Sequence, residues 1–130
     1  MTEQKISNTL RVTAPGKVVL FGEYAVLTGA PAAVMAVNAY ASVDLSPSQD
    51  DQWHFSSAGF KSHPSSYYDN ELPKDTSAGF TTAALAHWGY RSLHELAQEP
   101  MHIHTDTTAF FVEDKKLGLG SSAAACPATC

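Results

Sequence analysis

Residues 115–125, Lys-Lys-Leu-Gly-Leu-Gly-Ser-Ser-Ala-Ala-Ala, constrain the fold more than any other stretch of this chain. Gly118 and Gly120 flank a single leucine and let the backbone take turns that a side chain forbids. Ser121 and Ser122 suit a helix N-cap, and Ala123, Ala124 and Ala125 are strong helix formers. The segment therefore reads as a glycine loop opening onto a helix N-terminus, where unpaired amides and the helix macrodipole favour an anion. The serine hydroxyls suit contact with a phosphate or with Mg²⁺. Lys115 and Lys116 add local positive charge to a chain of 130 residues with 8 basic and 13 acidic side chains, a formal net charge of −5.

Several glycine-loop chemistries compete for this segment. A Walker loop is excluded, because G-x-x-x-x-G-K-[ST] occurs nowhere in the sequence. Residues 118–123 do match the dinucleotide fingerprint G-x-G-x-x-A, which needs an apolar strand immediately before it. Here residues 113–116 are Glu-Asp-Lys-Lys, and the acidic residue expected about 20 positions later falls beyond residue 130. A nucleophile elbow at residues 120–124 lacks the same feeding strand. A glycine turn capping an ordinary helix stays open on the local sequence alone.

The rest of the chain reads as a single α+β domain. Its 44% hydrophobic and 16% charged residues are those of a globular protein rather than a disordered one. The acidic balance argues against a nucleic-acid surface. No apolar run approaches membrane-spanning length, and Met1 to Asn8 lack the apolar core of a secretory signal, so the expected setting is cytoplasmic. Cys126 and Cys130 are too close together to staple the fold and have no metal-ligand partners beside them. Strands are predicted at Leu10 to Thr13 and Lys17 to Phe21 with a Pro15-Gly16 turn between them. Further strand material lies at Ala32 to Val37, Tyr40 to Leu45, Trp53 to Ser56 and Met101 to Thr105. Ala58 to Pro73 reads as loop. A helix capped by Thr76 or Ser77 should run to Trp88, stop at Gly89, and gather Phe80, Ala83, Ala84, His87 and Trp88 on one face. A second short helix is expected over Leu93 to Gln98. Strands early and helices late favour a hairpin-rich α+β sheet over a Rossmann alternation. His102 and His104 share one face of their strand and, without a third ligand in the sequence, read as solvent-facing. Trp53, Trp88 and the tyrosines read as core or interface.

A second motif stands near the N-terminus: Pro15-Gly16-Lys17-Val18-Val19-Leu20-Phe21-Gly22-Glu23-Tyr24-Ala25-Val26-Leu27. It places Lys17 at the head of an apolar strand and Glu23 just past its end. This segment resembles the first signature of the GHMP kinases, and Lys116-Leu117-Gly118-Leu119-Gly120-Ser121-Ser122-Ala123-Ala124 resembles their second, in the same order. Gly29-Ala30-Pro31-Ala32 and Thr105 to Phe111 also look like that family, whereas Ser56 to Leu96 is weakly diagnostic. Glu23-Tyr24 and the Lys-Leu entry to the glycine loop are most similar to the phosphomevalonate kinase branch.

The resemblance implies an α+β N-terminal domain like the second domain of ribosomal protein S5, with ATP and Mg²⁺ as cofactors. It implies γ-phosphoryl transfer to a small hydroxylated or phosphorylated acceptor, phosphomevalonate first. Mevalonate kinase and diphosphomevalonate decarboxylase are the alternatives, and a remnant that at most binds nucleotide is the alternative of another class. Lys17 would be catalytic. Lys116, Gly118, Leu119, Gly120, Ser121, Ser122 and Ala123 would hold the ATP phosphates, with Ser122 the Mg²⁺ ligand. Glu23 and Tyr24 would organise the substrate side. The sequence departs from the family after the loop: Pro127 would interrupt the helix, and the chain is expected to be an incomplete ATP-binding domain without the C-terminal domain.

Overall fold

The computed structural model describes residues 9–59, 63–73, 79–121 and 123–125. Its centre is a five-stranded sheet in the order β1-β2-β5-β3-β4, with β1 at Leu10–Phe21, β2 at Ala33–Pro47, β3 at Gln52–Ala58, β4 at Ser65–Tyr68 and β5 at Met101–Asp106. All neighbours run antiparallel except β3 and β5, which are parallel. That parallel pair requires a crossover. It is supplied by β4, the helix α1 at Gly79–His87 and a 3₁₀ turn at Leu93–Glu95. A small hairpin, β6 at Phe111–Val112 with β7 at Lys115–Lys116, leads into the glycine loop.

The N-terminal strand differs from the sequence expectation in an informative way. Pro15-Gly16 does not turn the chain; β1 runs unbroken through it. Pro15 faces Tyr40 and Lys17 faces Ala36, so Gly16 alone stands opposite residues 37–39 and the ladder bulges there. Proline is tolerated because β1 is the edge strand, where the missing N–H breaks no second ladder. The two pieces expected at Ala32 to Val37 and Tyr40 to Leu45 are likewise one strand, β2, carrying the bulge in its middle. The stretch expected to be loop between Ala58 and Pro73 contains β4, whose Ser-Ser-Tyr-Tyr pairs with residues 52–55 of β3.

Alternation divides the sheet into two faces. Val43, Trp53, Phe55 and Ile103 point to one side and form a core with Leu85 of α1 and Leu93 of the 3₁₀ turn. Fully burying side chains of this size stabilises by about 1.5–3 kcal/mol each. The Phe55 and Tyr67 rings meet edge to face, 6.0 Å apart. On the same face Ala41, Phe110, Ala124 and Ala125 make a second cluster, packed by Ala14, Ala39, Phe111 and Leu119. The opposite face is polar: Arg11 forks onto Asp44 at 2.6 and 2.8 Å, and Ser56 Oγ lies 3.1 Å from His102 Nε2 and 2.7 Å from His104 Nδ1. The two histidines thus share a polar face, His102 exposed and His104 half-buried.

Helix α1 buries Thr81, Ala84 and Leu85; of the face expected from the sequence Ala84 is buried, whereas Ala83, His87 and Trp88 are exposed. The spacing of three and four is right, but the stripe is rotated toward Leu85, the one large aliphatic side chain among its described residues. The side chain of Phe80 and the expected cap at Thr76 or Ser77 lie outside the described residues. The helix ends as expected at Gly89: the Tyr90 amide donates to Leu85 O at 2.9 Å and the Gly89 amide to Ala86 O at 3.3 Å, the paired bonds of a Schellman stop. Trp53 is fully buried, whereas Trp88, Tyr24, Tyr40, Tyr68 and Tyr90 remain largely exposed.

Candidate functional site

The two sequence motifs meet in space. The Lys17 amide on the free edge of β1 donates to the Leu119 carbonyl over 2.7 Å, so the glycine loop lies along the sheet edge. The aliphatic stem of Lys17 runs past Gly120: a Cβ at that glycine would sit 3.2 Å from both Cγ and Cε of Lys17. Gly120 also has φ +74°, a left-handed conformation that a side chain would strain. Gly16 permits an even closer approach, because a Cβ there would lie 2.3 Å from Phe110 Cε1 and 2.5 Å from Leu119 O.

The helix after the loop opens differently from the sequence expectation. Gly120 O accepts the Ala124 amide at 2.9 Å, which makes Gly120 the N-cap and Ser121 the first helical residue. The serine is therefore not the cap. Its side chain is fully buried, and its hydroxyl has no hydrogen-bond partner among the described residues. A buried hydroxyl left unpaired costs about 1–3 kcal/mol, so its partner, whether water, protein or ligand, lies outside the described residues. Amides of the first helical turn likewise have no carbonyl within the helix to bind. The Lys17 stem, the glycine loop and Ser121 thus adjoin one another at the helix start. Ser122, the expected Mg²⁺ ligand, lies outside the described residues, as do Cys126, Pro127 and Cys130. No group of three or more histidine, cysteine or acidic side chains suited to a metal ion occurs among the described residues.

The other expected site residues distribute unevenly. Gly118 is exposed with φ +70° and open space around it, and Ala123 is exposed in the helical turn. Lys116 lies in β7, exposed, paired with Phe111. Glu23 and Tyr24 follow the far end of β1, with Tyr24 preceding a 3₁₀ turn at Ala25–Thr28, and both are exposed. The four steps from Lys17 to Phe21 span about 13 Å of strand, so these two residues sit at the opposite end of that stretch from the Lys17–Leu119 contact. Two cavities lie away from the loop. One of about 460 Å³ is lined by Asp51, Tyr68, Asp69, Asn70, Ser92 and His94; an apolar one of about 220 Å³ lies between the sheet and Trp88. Neither includes Lys17 or a loop residue.

Sequence reasoning missed Phe110 and the close approach at Gly16. The signal for both was present in the small residues Ala14, Gly16, Ala39 and Ala41, which leave space for one large ring. Their convergence needed the strand register.

No protein-family model matches the chain, and no curated protein sequence matches it. Solved structures do. A Lin0012 protein from Listeria innocua is 28% identical with a TM-score of 0.68, over 94% of this chain and 35% of its own. The Streptococcus pneumoniae phosphomevalonate kinase, in complex with phosphomevalonate and AMPPNP, is 22% identical with a TM-score of 0.66, over 92% and 34%. The Methanococcus jannaschii mevalonate kinase is 20% identical with a TM-score of 0.70, over 92% and 38%. The chain has the mixed α+β fold seen in these kinases and spans about a third of the length of the structures it matches.

Proposed function

We propose that this chain forms the nucleotide-phosphate site of a GHMP-type small-molecule kinase, with phosphomevalonate as the first candidate acceptor and mevalonate as the second. The observation that carries the reading is the seating of the Lys17 stem against Gly120, with the buried Ser121 hydroxyl, unpartnered among the described residues, one residue further on. One cation and one orphaned donor thereby share a glycine loop at a helix N-terminus, an arrangement suited to the phosphate oxygens of ATP. The structural neighbours support the same direction, since one of them is a phosphomevalonate kinase that holds phosphomevalonate and an ATP analogue.

In the reaction, an acceptor oxygen attacks the γ-phosphorus of ATP while the bond to the bridging oxygen of ADP breaks. The chemistry asks little of the protein beyond positioning and charge stabilisation. Lys17, carried on a strand edge and tied by its own amide to the loop, places its ammonium where negative charge redistributes. Mg²⁺, as the counter-ion of ATP, supplies charge neutralisation at the phosphates. Ser121 and the first-turn amides orient the phosphates. Glu23 and Tyr24 belong to the acceptor side in this reading.

Thermal unfolding of the chain with and without millimolar Mg·ATP tests the site. Ligand at a hundred times its Kd stabilises by about 2.7 kcal/mol, so a clear rise in Tm is expected. No shift would remove the phosphate site. The present chain alone is expected to bind nucleotide without turning it over. In a full-length kinase carrying this segment, ADP release with phosphomevalonate or mevalonate tests transfer, and Lys17→Met should lower kcat far more than it weakens nucleotide binding. Loss of both together would make Lys17 a binding residue only.

A further inference from the structure

Phe110 lies outside both motifs yet contacts the strand just before Lys17 and the entry to the glycine loop, and shares a buried cluster with the helix that follows. It closes a 3₁₀ turn at Thr108–Phe110 and is fully buried. Its ring lies over Gly16, where no side chain would fit. Its carbonyl accepts the Leu117 amide at 2.9 Å, at the entry to the glycine loop. The remaining buried members of its cluster, Ala41, Ala124 and Ala125, are all small, and the last two belong to the helix that follows the loop. Phe110 thus reaches β1 immediately before Lys17 through its ring, the loop entry through its carbonyl, and the following helix through the buried cluster they share.

The turn that carries the ring is itself anchored. Asp106 Oδ1 accepts both the amide and the hydroxyl of Thr108, at 2.8 and 2.7 Å. The buried Thr107 donates its amide to Ala58 O at 2.9 Å and its hydroxyl to the same oxygen at 3.2 Å. The ring is therefore held from the ends of β3 and β5, in the middle of the sheet, while the parts it spaces lie at the edge. Glycine and alanine on the other sides cannot set a distance by themselves; the only large fully buried group in the cluster among the described residues does.

We infer that Phe110 is a positioning residue, the wedge that sets the spacing between Lys17 on β1 and the glycine loop. Its consequence for phosphate binding rests on the function proposed above, but the spacing itself does not. Shortening the ring lets the loop relax away from the strand edge, and the Lys17–Leu119 hydrogen bond loosens first.

The test compares Phe110→Leu with Phe55→Leu, which removes the same atoms from the other core cluster on the same sheet face. Hydrogen exchange at the Lys17 and Leu117 amides is read beside the Tm and the Mg·ATP affinity. Both variants should lower the Tm. Only Phe110→Leu should speed exchange at Lys17 and Leu117, by about tenfold or more relative to other β1 amides. It should also weaken Mg·ATP by about tenfold or more, since misplacing a site by about 1 Å is costly. Phe110→Ala, which removes the whole ring, should free the Lys17 amide further than Phe110→Leu does. Equal exchange at Lys17 in both leucine variants, or an unchanged Lys17 amide in Phe110→Leu, would overturn the inference. Should the unaltered chain bind no Mg·ATP while Phe110→Leu selectively frees the Lys17 amide, the wedge stands and the phosphate reading falls.

Discussion

The Lys17 amide and the Leu119 carbonyl, 2.7 Å apart, join the edge of the first strand to the glycine loop near the other end of the sequence. The bond satisfies a strand-edge donor that the sheet leaves over, and it brings the two signature segments together. Gly16 makes this approach possible. The predicted consequence is that Gly16→Ala drives a methyl group into Phe110 and into the Leu119 carbonyl, the second of which is backbone and yields poorly. Overpacking of this kind costs about 1–3 kcal/mol. Chemical denaturation should show that loss, with faster exchange of the Lys17 amide; wild-type values for both would mean that the loop has room to spare.

A second prediction concerns Asp69. The fully buried Trp53 ring donates its Nε1–H to Asp69 Oδ1 at 2.9 Å, and His94 Nδ1 lies on the other carboxylate oxygen. Those bonds, that of Trp53 foremost, hold the carboxyl below the usual range of aspartate. Asp69→Ala strands the indole N–H and should cost about 1–3 kcal/mol. Asp69→Asn keeps an acceptor and should cost less. Because the folded pKa is depressed, the carboxylate's contribution is complete above the ordinary aspartate range and is lost as pH falls through the lower, folded value. Urea midpoints followed down into acid should therefore drop less steeply in Asp69→Asn, and parallel acid limbs would disprove the linkage.

His102 titrates in a different window. Partial desolvation against the sheet first, then the neighbouring His54 and His104, lowers its proton affinity although the side chain is largely exposed; the His54 ring meets it edge-on at 6.2 Å. A histidine with a depressed folded pKa favours folding while neutral, so stability should decline as pH falls from the ordinary imidazole value of about 6.5 toward the folded one. Asp44 and Asp50, both held low by hydrogen bonds, respond only at more acid pH and do not mask the effect. Comparing stability at neutral pH and at about pH 5, the decline should be smaller in His102→Gln than in the unaltered chain. A decline of equal size in both would place the titration elsewhere.

The turn between β6 and β7 carries strain. Glu113 and Asp114 have φ of 48° and 63°, left-handed values that cost an L-residue about 1–2 kcal/mol each. Asn-Gly is the pair that this kind of two-residue hairpin turn prefers. Glu113→Asn with Asp114→Gly is predicted to raise stability by about 1 kcal/mol, the gain being reduced by the looser unfolded chain that glycine allows. A destabilised double variant would show that Glu113 or Asp114 makes a compensating contact.

What the sequence determined by itself is local. Gly118 and Gly120 dictated a loop, the alanines after them a helix, and Gly89 a helix stop, because each depends on backbone torsions that neighbouring residues control. The alternation in β3 and β5 set their buried faces for the same reason. Only the tertiary structure decided that Pro15-Gly16 continues a strand, since the edge position that tolerates proline is a property of the sheet and not of the dipeptide. Tertiary packing also rotated α1 toward Leu85, moved the cap from the expected serines to Gly120, and brought Phe110 into contact with Gly16. Distances between residues remote in sequence depend on register and on which ring fills which space, and those are settled only when all the strands have paired.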